Sequence, residues 1–170
     1  MHTPEHILDV FLQPGDFFWG DRSTRIRTIL GSCVSFCLWH PQLKEGGMCH
    51  FMLPNRGTHT EHNPNILNGK YGEEAWQLFE KEFKKNNTRA SEYVVKIFGG
   101  SSMFAHEAED KEVQNSKINI GIKNIELSRK LVQNNHLNVV SENLGGKHSR
   151  RLHYEIWSGN VWLKRQEVGN

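Results

Sequence analysis

Two apolar runs separated by a short polar break, "VSFCLWHPQLKEGGMCHFMLP", constrain this chain more than any other feature. Residues 26–39 read as strand with a break at Gly31, and residues 48–53 read as a second strand that Pro54 ends. His40-Pro41-Gln42-Leu43 makes a turn and "KEGG" leads into the second strand. The pair is then a hairpin. With its turn centred between Pro41 and Gln42, Cys33 faces His50, and directly opposed β-carbons lie about 5 Å apart. A one-residue slip of register would spoil that alignment.

Residues 27–54 hold all three cysteines of the chain. Three thiols cannot all pair with one another, and in a reducing compartment they are expected to be free. Cys33 and Cys37 share a strand face at about 13 Å, too far for a disulfide. With 170 residues the chain is long enough for one domain with a real core, taken here as residues 1–170. A formal charge of +2 gives no case for nucleic acid. No apolar run approaches the roughly 20 residues that cross a bilayer, so no membrane insertion is expected. The start, "MHTPEHILDVFLQPGDFFWG", lacks a basic leader region and Asp9 interrupts its apolar segment, so a cytoplasmic location is expected.

Elsewhere, residues 7–12 form an apolar segment closed by the turn "QPGD", and residues 17–19 are aromatic. Residues 55–70 are a long polar loop. Residues 73–85 have helical spacing, with Ala75, Leu78, Phe79 and Phe83 on one face and Trp76 beside it. Residues 93–98 are a strand ending in Gly99-Gly100, residues 105–116 are charged and exposed, and a helix runs through 118–134. Residues 137–142 are a strand, and 152–157 with 161–164 make a hairpin across "SGN". Interleaved strands and helices with hairpins predict mixed α/β layers.

The chemistry lies at Gly31-Ser32-Cys33. Glycine permits a backbone bend closed to other residues, and a nucleophile just past such a bend is exposed beside free backbone N–H groups. An adjacent imidazole lowers a thiol's pKa from about 8.5 and supplies base and acid to the reaction. Two other readings remain open on spacing alone. Buried free cysteine is common and inert. A zinc set from Cys33, Cys37, Cys49 and His50 is the other, although it lacks the usual close Cys-x₂₋₄-Cys knuckle on a turn, Cys33 and Cys37 lying along a strand. His59 and His62 in "HTEH" lie in a polar loop and add little.

Six segments, "LGSCVSFCLWHP", "GGMCHFMLP", "KYGEEAW", "FGGSSMF", "NIGIKN" and "LGGKHSRRLHYEIWSGNV", occur in the order found in the CheD family, the chemoreceptor glutamine deamidases. The resemblance runs from Arg27 to Lys164. It implies a three-layer α/β/α sandwich with mixed sheets, similar to the cytotoxic necrotizing factor-type deamidases. It implies a protein-glutamine glutaminase that converts receptor glutamine side chains to glutamate through a cysteine thioester, without cofactor or metal. The nucleophile falls on Cys33 and the histidine on His50. The family's third polar residue, a threonine or serine near the first strand, falls nearest to Thr28, and Ser32 could add a hydroxyl or a backbone donor to an oxyanion site. Implied partners are the cytoplasmic helical region of methyl-accepting chemotaxis receptors and a CheC-type phosphatase. A non-catalytic adaptor for the same partners is the alternative. Arg150 meets an acidic receptor surface or is solvated, the 55–70 loop borders the cleft, Gly99-Gly100 border it or simply form a turn, and Tyr71 packs at the helix start. The segments depart from the family pattern at Cys49, where asparagine is common, at Lys123 and at Ser149.

Overall fold

The apolar stretch over residues 26–39 is two strands in two different sheets, and burial tells them apart. The computed structural model describes residues 2–57, 63, 65–102 and 111–166, with 111–119 as backbone alone. In β3 (Thr24–Leu30) burial alternates: Thr24, Ile26, Thr28 and Leu30 point inward while Arg25, Arg27 and Ile29 face solvent. In β4 (Val34–His40) every residue but Trp39 is buried. A strand with one wet face alternates, and a strand covered on both faces does not. The break at Gly31 is therefore the crossing from one sheet to the next.

The remaining strands are β1 (Leu8–Phe11), β2 (Phe17–Gly20), β5 (Glu45–Cys49), β6 (Val94–Gly99), β7 (Asn138–Leu144), β8 (Ser149–Glu155) and β9 (Asn160–Gln166). Sheet A runs β1-β3-β8-β9, with β1 parallel to β3 and the other pairs antiparallel. Sheet B runs β2-β5-β4-β6-β7, with β7 parallel to β6 and the other pairs antiparallel. Both sheets are mixed. The aromatic residues 17–19 thus belong to an edge strand. The hairpin across "SGN" is β8-β9, as its turn residues predict.

Helix α1 (Gly72–Lys85) buries Ala75, Trp76, Phe79 and Phe83 against Phe36, Leu38 and Val95 of sheet B. Trp76 belongs to that face, and Leu78 sits at its margin. Glu73 and Glu74 in the first turn and Lys84 and Lys85 in the last complement the helix dipole. Helix α2 (Lys111–Asn134) adds Leu127 to the same core. On the opposite face of sheet B, Cys37, Met48 and Phe98 meet Ile26, Leu30, Leu152 and Tyr154 of sheet A. Among the described residues the layers are thus helices, sheet B, sheet A. This corrects the α/β/α order. Both helices lie on one side of sheet B, and the outer face of sheet A carries Arg25, Arg27 and Arg151, which a packed helix would have to desolvate. His59, His62 and residues 105–110 lie outside the described residues.

Candidate active site

Lys44 takes a left-handed backbone, φ 55°, and its N–H donates to His40 O at 3.0 Å. That places the β4–β5 turn one residue later than its sequence suggests. Cys37 pairs with Met48, and Val34 with Phe51. Ser35, not Cys33, therefore stands opposite His50. The register differs by an even number of residues, so faces are preserved. Cys33 and His50 are diagonal neighbours on the face toward sheet A, a separation of about 7 Å between backbones.

His50 is 2% exposed. Its backbone is bracketed by the "QPGD" turn: Gly15 N–H donates to His50 O at 2.7 Å, and His50 N–H donates to Asp16 O at 3.0 Å. Gly15 has φ 91°, a conformation that suits glycine. Thr28, fully buried on β3, reaches across the gap between the sheets, and its Oγ1 lies 2.7 Å from His50 Nδ1. The same hydroxyl donates to Leu12 O at 2.9 Å. A hydroxyl has one proton to give. Thr28 Oγ1 is therefore the acceptor toward His50, Nδ1 carries the ring hydrogen, and Nε2 keeps its lone pair. Ser35, fully buried opposite the ring, has a hydroxyl with no partner among the described residues.

The Gly31–Cys33 bend is held from three sides. Gly100 N–H donates to Cys33 O at 2.8 Å, and Ser101 N–H donates to Gly31 O at 2.9 Å. Asn124, fully buried on α2, donates through Nδ2 to Ser32 O at 3.0 Å and to Met52 O at 2.9 Å. Gly99, φ 118°, has no room for a side chain: a β-carbon there would sit 2.1 Å from Cys33 O. Gly99-Gly100 thus do border the nucleophile's bend. Asn124 was present in the segment "NIGIKN", but nothing in the local pattern reveals contacts so distant in sequence. Among the described residues no backbone carbonyl accepts from the N–H of Ser32 or Cys33.

The three thiols are free and differently placed. Cys37 faces sheet A and Cys49 faces the helices, both buried. Opposite faces of one sheet cannot share a zinc ion with Cys33 and His50, and no metal-binding cluster forms among the described residues. Burial pushes the Cys33 thiol up to about 11, despite its own N–H. Burial also pulls His50 down to about 4, partly opposed by the Asp16 charge. The lowering of the thiol expected from the imidazole is absent: burial raises the Cys33 pKa and only its own backbone N–H opposes it. The resting pair is a neutral thiol and a neutral imidazole.

Arg150 is neither solvated nor at an open surface. It is 4% exposed and donates to Asn143 Oδ1 at 2.7 Å, Ser101 Oγ at 2.5 Å and Gly145 O at 2.6 Å. Ser101 in turn holds Gly31, so Arg150 supports the bend from behind. Tyr71 bridges to Leu53 and lies under the Arg56 guanidinium, 4.9 Å from the ring centre, while Arg56 pairs with Glu74 of α1.

The family model for CheD, described as chemotactic sensory transduction, matches residues 52–165. A protein of Leptospira interrogans named probable chemoreceptor glutamine deamidase CheD 1 is 45% identical over 164 residues, covering 96% of each chain. One from Dechloromonas aromatica, named probable chemoreceptor glutamine deamidase CheD 3, is 42% identical over 95% of this chain and 89% of its own. A further relative from Pseudomonas syringae pv. tomato, of the same printed name without number, is 34% identical over 99% of this chain and 95% of its own. With near-complete coverage at these identities, the chain belongs to the CheD family.

Proposed function

We propose that this chain is a chemoreceptor glutamine deamidase, hydrolysing glutamine side-chain amides to glutamate with release of ammonia. The observation that carries the mechanism is the Leu12–Thr28–His50 relay, which fixes the ring tautomer and leaves Nε2 its lone pair, on a residue diagonal to Cys33 in the strand register. The names of the relatives supply the substrate class.

Because both groups rest neutral, His50 acts as general base during attack rather than holding a preformed thiolate. As Cys33 Sγ bonds to the amide carbon, its proton passes to His50 Nε2. The imidazolium so formed is stabilised by the Asp16 charge and by the Thr28 oxygen at Nδ1–H. The N–H groups of Ser32 and Cys33 receive the oxyanion, a contribution of about 3 kcal/mol per donor. The C–N bond then breaks, and His50 gives its proton to the departing nitrogen, which leaves as ammonia. Water, deprotonated by the same nitrogen, cleaves the thioester, returns the thiol and leaves a carboxylate.

Supporting this reading are the intact Cys33–His50 pair, its buried Thr28 partner and the stiff bend. The cytoplasmic helical region of chemoreceptors is the proposed substrate, and the cytoplasm the proposed compartment; no described helix is long and apolar enough to cross a membrane. A CheC-type phosphatase as second partner, the single-domain organisation over 1–170 and kinship with the cytotoxic necrotizing factor-type deamidases rest on the resemblance of the six segments. The test is mass spectrometry of a receptor cytoplasmic fragment after incubation with the protein. Each deamidated glutamine gains about 1 Da, and Cys33→Ala is expected to abolish the gain while keeping the fold. An unchanged fragment with the intact protein would overturn the assignment.

A further inference from the structure

At one end of the sandwich the two sheets present matching rows. Leu30, Arg150 and Arg165 lie side by side across sheet A. Val34, Gly99 and Leu144 lie side by side across sheet B. The Gly31–Cys33 bend joins the first members of these rows. Beyond these rows, β7, the Gly145-Gly146 turn, β8, β9 and Arg129 of α2 line a cavity of about 360 Å³. Its wall includes Arg129, Glu142, His148, Arg150 and Arg165. Two strand spacings, about 10 Å, separate the Arg165 backbone from the end of β3 that leads into the bend.

The charges around this cavity do not balance. Glu142 is engaged by Arg129, with one of the two contacts at 2.8 Å. Arg150 is buried and has no carboxylate partner among the described residues; all its contacts are to neutral oxygens. Arg165 stands directly opposite it on the antiparallel partner strand, an arrangement that like charges disfavour. Burial and the neighbouring Arg165 charge both depress the Arg150 pKa. A buried, unneutralised guanidinium with a second one beside it is costly unless an anion joins them. Arg150 has one N–H left after its four contacts, and the exposed Arg165 beside it can present the planar fork to a carboxylate.

We propose that this cavity is an acceptor subsite for a carboxylate of the protein substrate, a glutamate or aspartate near the target glutamine, held between Arg165 and Arg150. The inference rests on the deamidase reading and names a specificity element for it. Arg165 is exposed at the sheet edge, so it can meet a substrate side chain without a change of fold. Arg150 transmits the contact to the nucleophile's bend through Ser101.

The experiment compares two receptor cytoplasmic fragments, one native and one with the acidic residues nearest its target glutamines changed to alanine. Their affinities are measured for Cys33→Ala protein with and without Arg165→Glu, so binding is read without turnover. Turnover of both fragments is measured with intact Cys33. The expected result is a roughly tenfold weaker binding of the native fragment by Arg165→Glu, a similar rise in KM with kcat within about twofold, and little effect on the alanine fragment. Equal losses for both fragments, no loss for either, or no binding of the native fragment by Cys33→Ala protein would each overturn the subsite. If the binding pattern appears but no ammonia is released by the protein with intact Cys33, the subsite stands and the deamidase reading falls.

Discussion

His40 and His50 are both buried on the β4–β5 hairpin, at 4% and 2% exposure, yet their rings are used differently. His40 Nδ1 accepts from Leu43 N–H at 3.2 Å, which puts its hydrogen on Nε2, and Nε2 faces Glu92 Oε1 at 3.9 Å. Its ring also packs edge-on to Tyr93. The turn takes the only ring lone pair, so His40 has no nitrogen left to accept a proton. His50 has the opposite tautomer: Nδ1–H is taken by Thr28 and Nε2 is spare. Both are buried at the end of a strand: His40 closes β4 and His50 follows β5 directly. What separates a structural histidine from a base is which nitrogen its fixed partner leaves over.

The largest expected effect separates the two rings directly. His50→Ala should lower kcat by about 10²–10⁴-fold with KM little changed. His40→Ala should leave kcat within about twofold and cost about 1 kcal/mol of stability, because Leu43 N–H loses its acceptor near the surface. Kinetics and denaturant midpoints on the same two preparations check this. Near-normal kcat in a destabilised His50→Ala protein would make the two histidines equivalent and remove the catalytic role.

The second effect is in stability against pH. His50 has a folded pKa of about 4 against an unfolded value of about 6.5. Between those values the unfolded chain takes up a proton that the folded one refuses. Stability is therefore lost as pH falls from about 6.5 to about 4, by up to about 3 kcal/mol from this group. Urea midpoints for wild type and His50→Gln over that window should diverge, with the glutamine variant the flatter. Parallel curves would show that solvent reaches the ring.

Much of this site is legible along the sequence because it is local. Period-two alternation keeps Cys33 and His50 on one face even though the turn lies one residue from its expected place. Turn residues mark the β8–β9 hairpin, and apolar spacing marks α1; the second helix, expected from residue 118, begins earlier, at Lys111, inside the stretch that reads as charged and exposed. The rest depends on contacts that no local pattern encodes. Thr28 meets His50 only because two sheets stack. The "QPGD" turn reads as punctuation, yet it brackets the His50 backbone. Asn124 touches Ser32 across a separation of 92 residues. Arg150 reads as a surface charge until packing buries it. The layer order also follows from where two helices dock, which amphipathic spacing does not specify.

The third effect concerns the thiols. With its pKa near 11 instead of 9.0, Cys33 carries about 10²-fold less thiolate near neutral pH than an unperturbed thiol. Iodoacetamide should therefore label it about 10²-fold more slowly than a free cysteine peptide, yet before Cys37 and Cys49, which are buried. Peptide mapping over time checks the order. Labelling as fast as the free peptide would mean a preformed thiolate, and would replace base catalysis by His50 with an ion pair.

The smallest expected effect tests what makes the two rings differ. Thr28→Val keeps the shape and removes the hydroxyl, so Nδ1–H of a buried ring loses its acceptor and Leu12 O its donor. Replacing one neutral hydrogen bond is worth about 1 kcal/mol, so the ring is weakly held rather than lost, and kcat should fall about fivefold. Thr28→Ser keeps the oxygen and should recover most of the rate, at the cost of one buried methyl group, about 1 kcal/mol of stability. A purely structural threonine predicts the reverse pattern, with valine the better replacement because it preserves packing. The two variants thus move in opposite directions under the two roles. If valine keeps the wild-type kcat, the His50 tautomer does not need Thr28, and the distinction from His40 must come from elsewhere in the site.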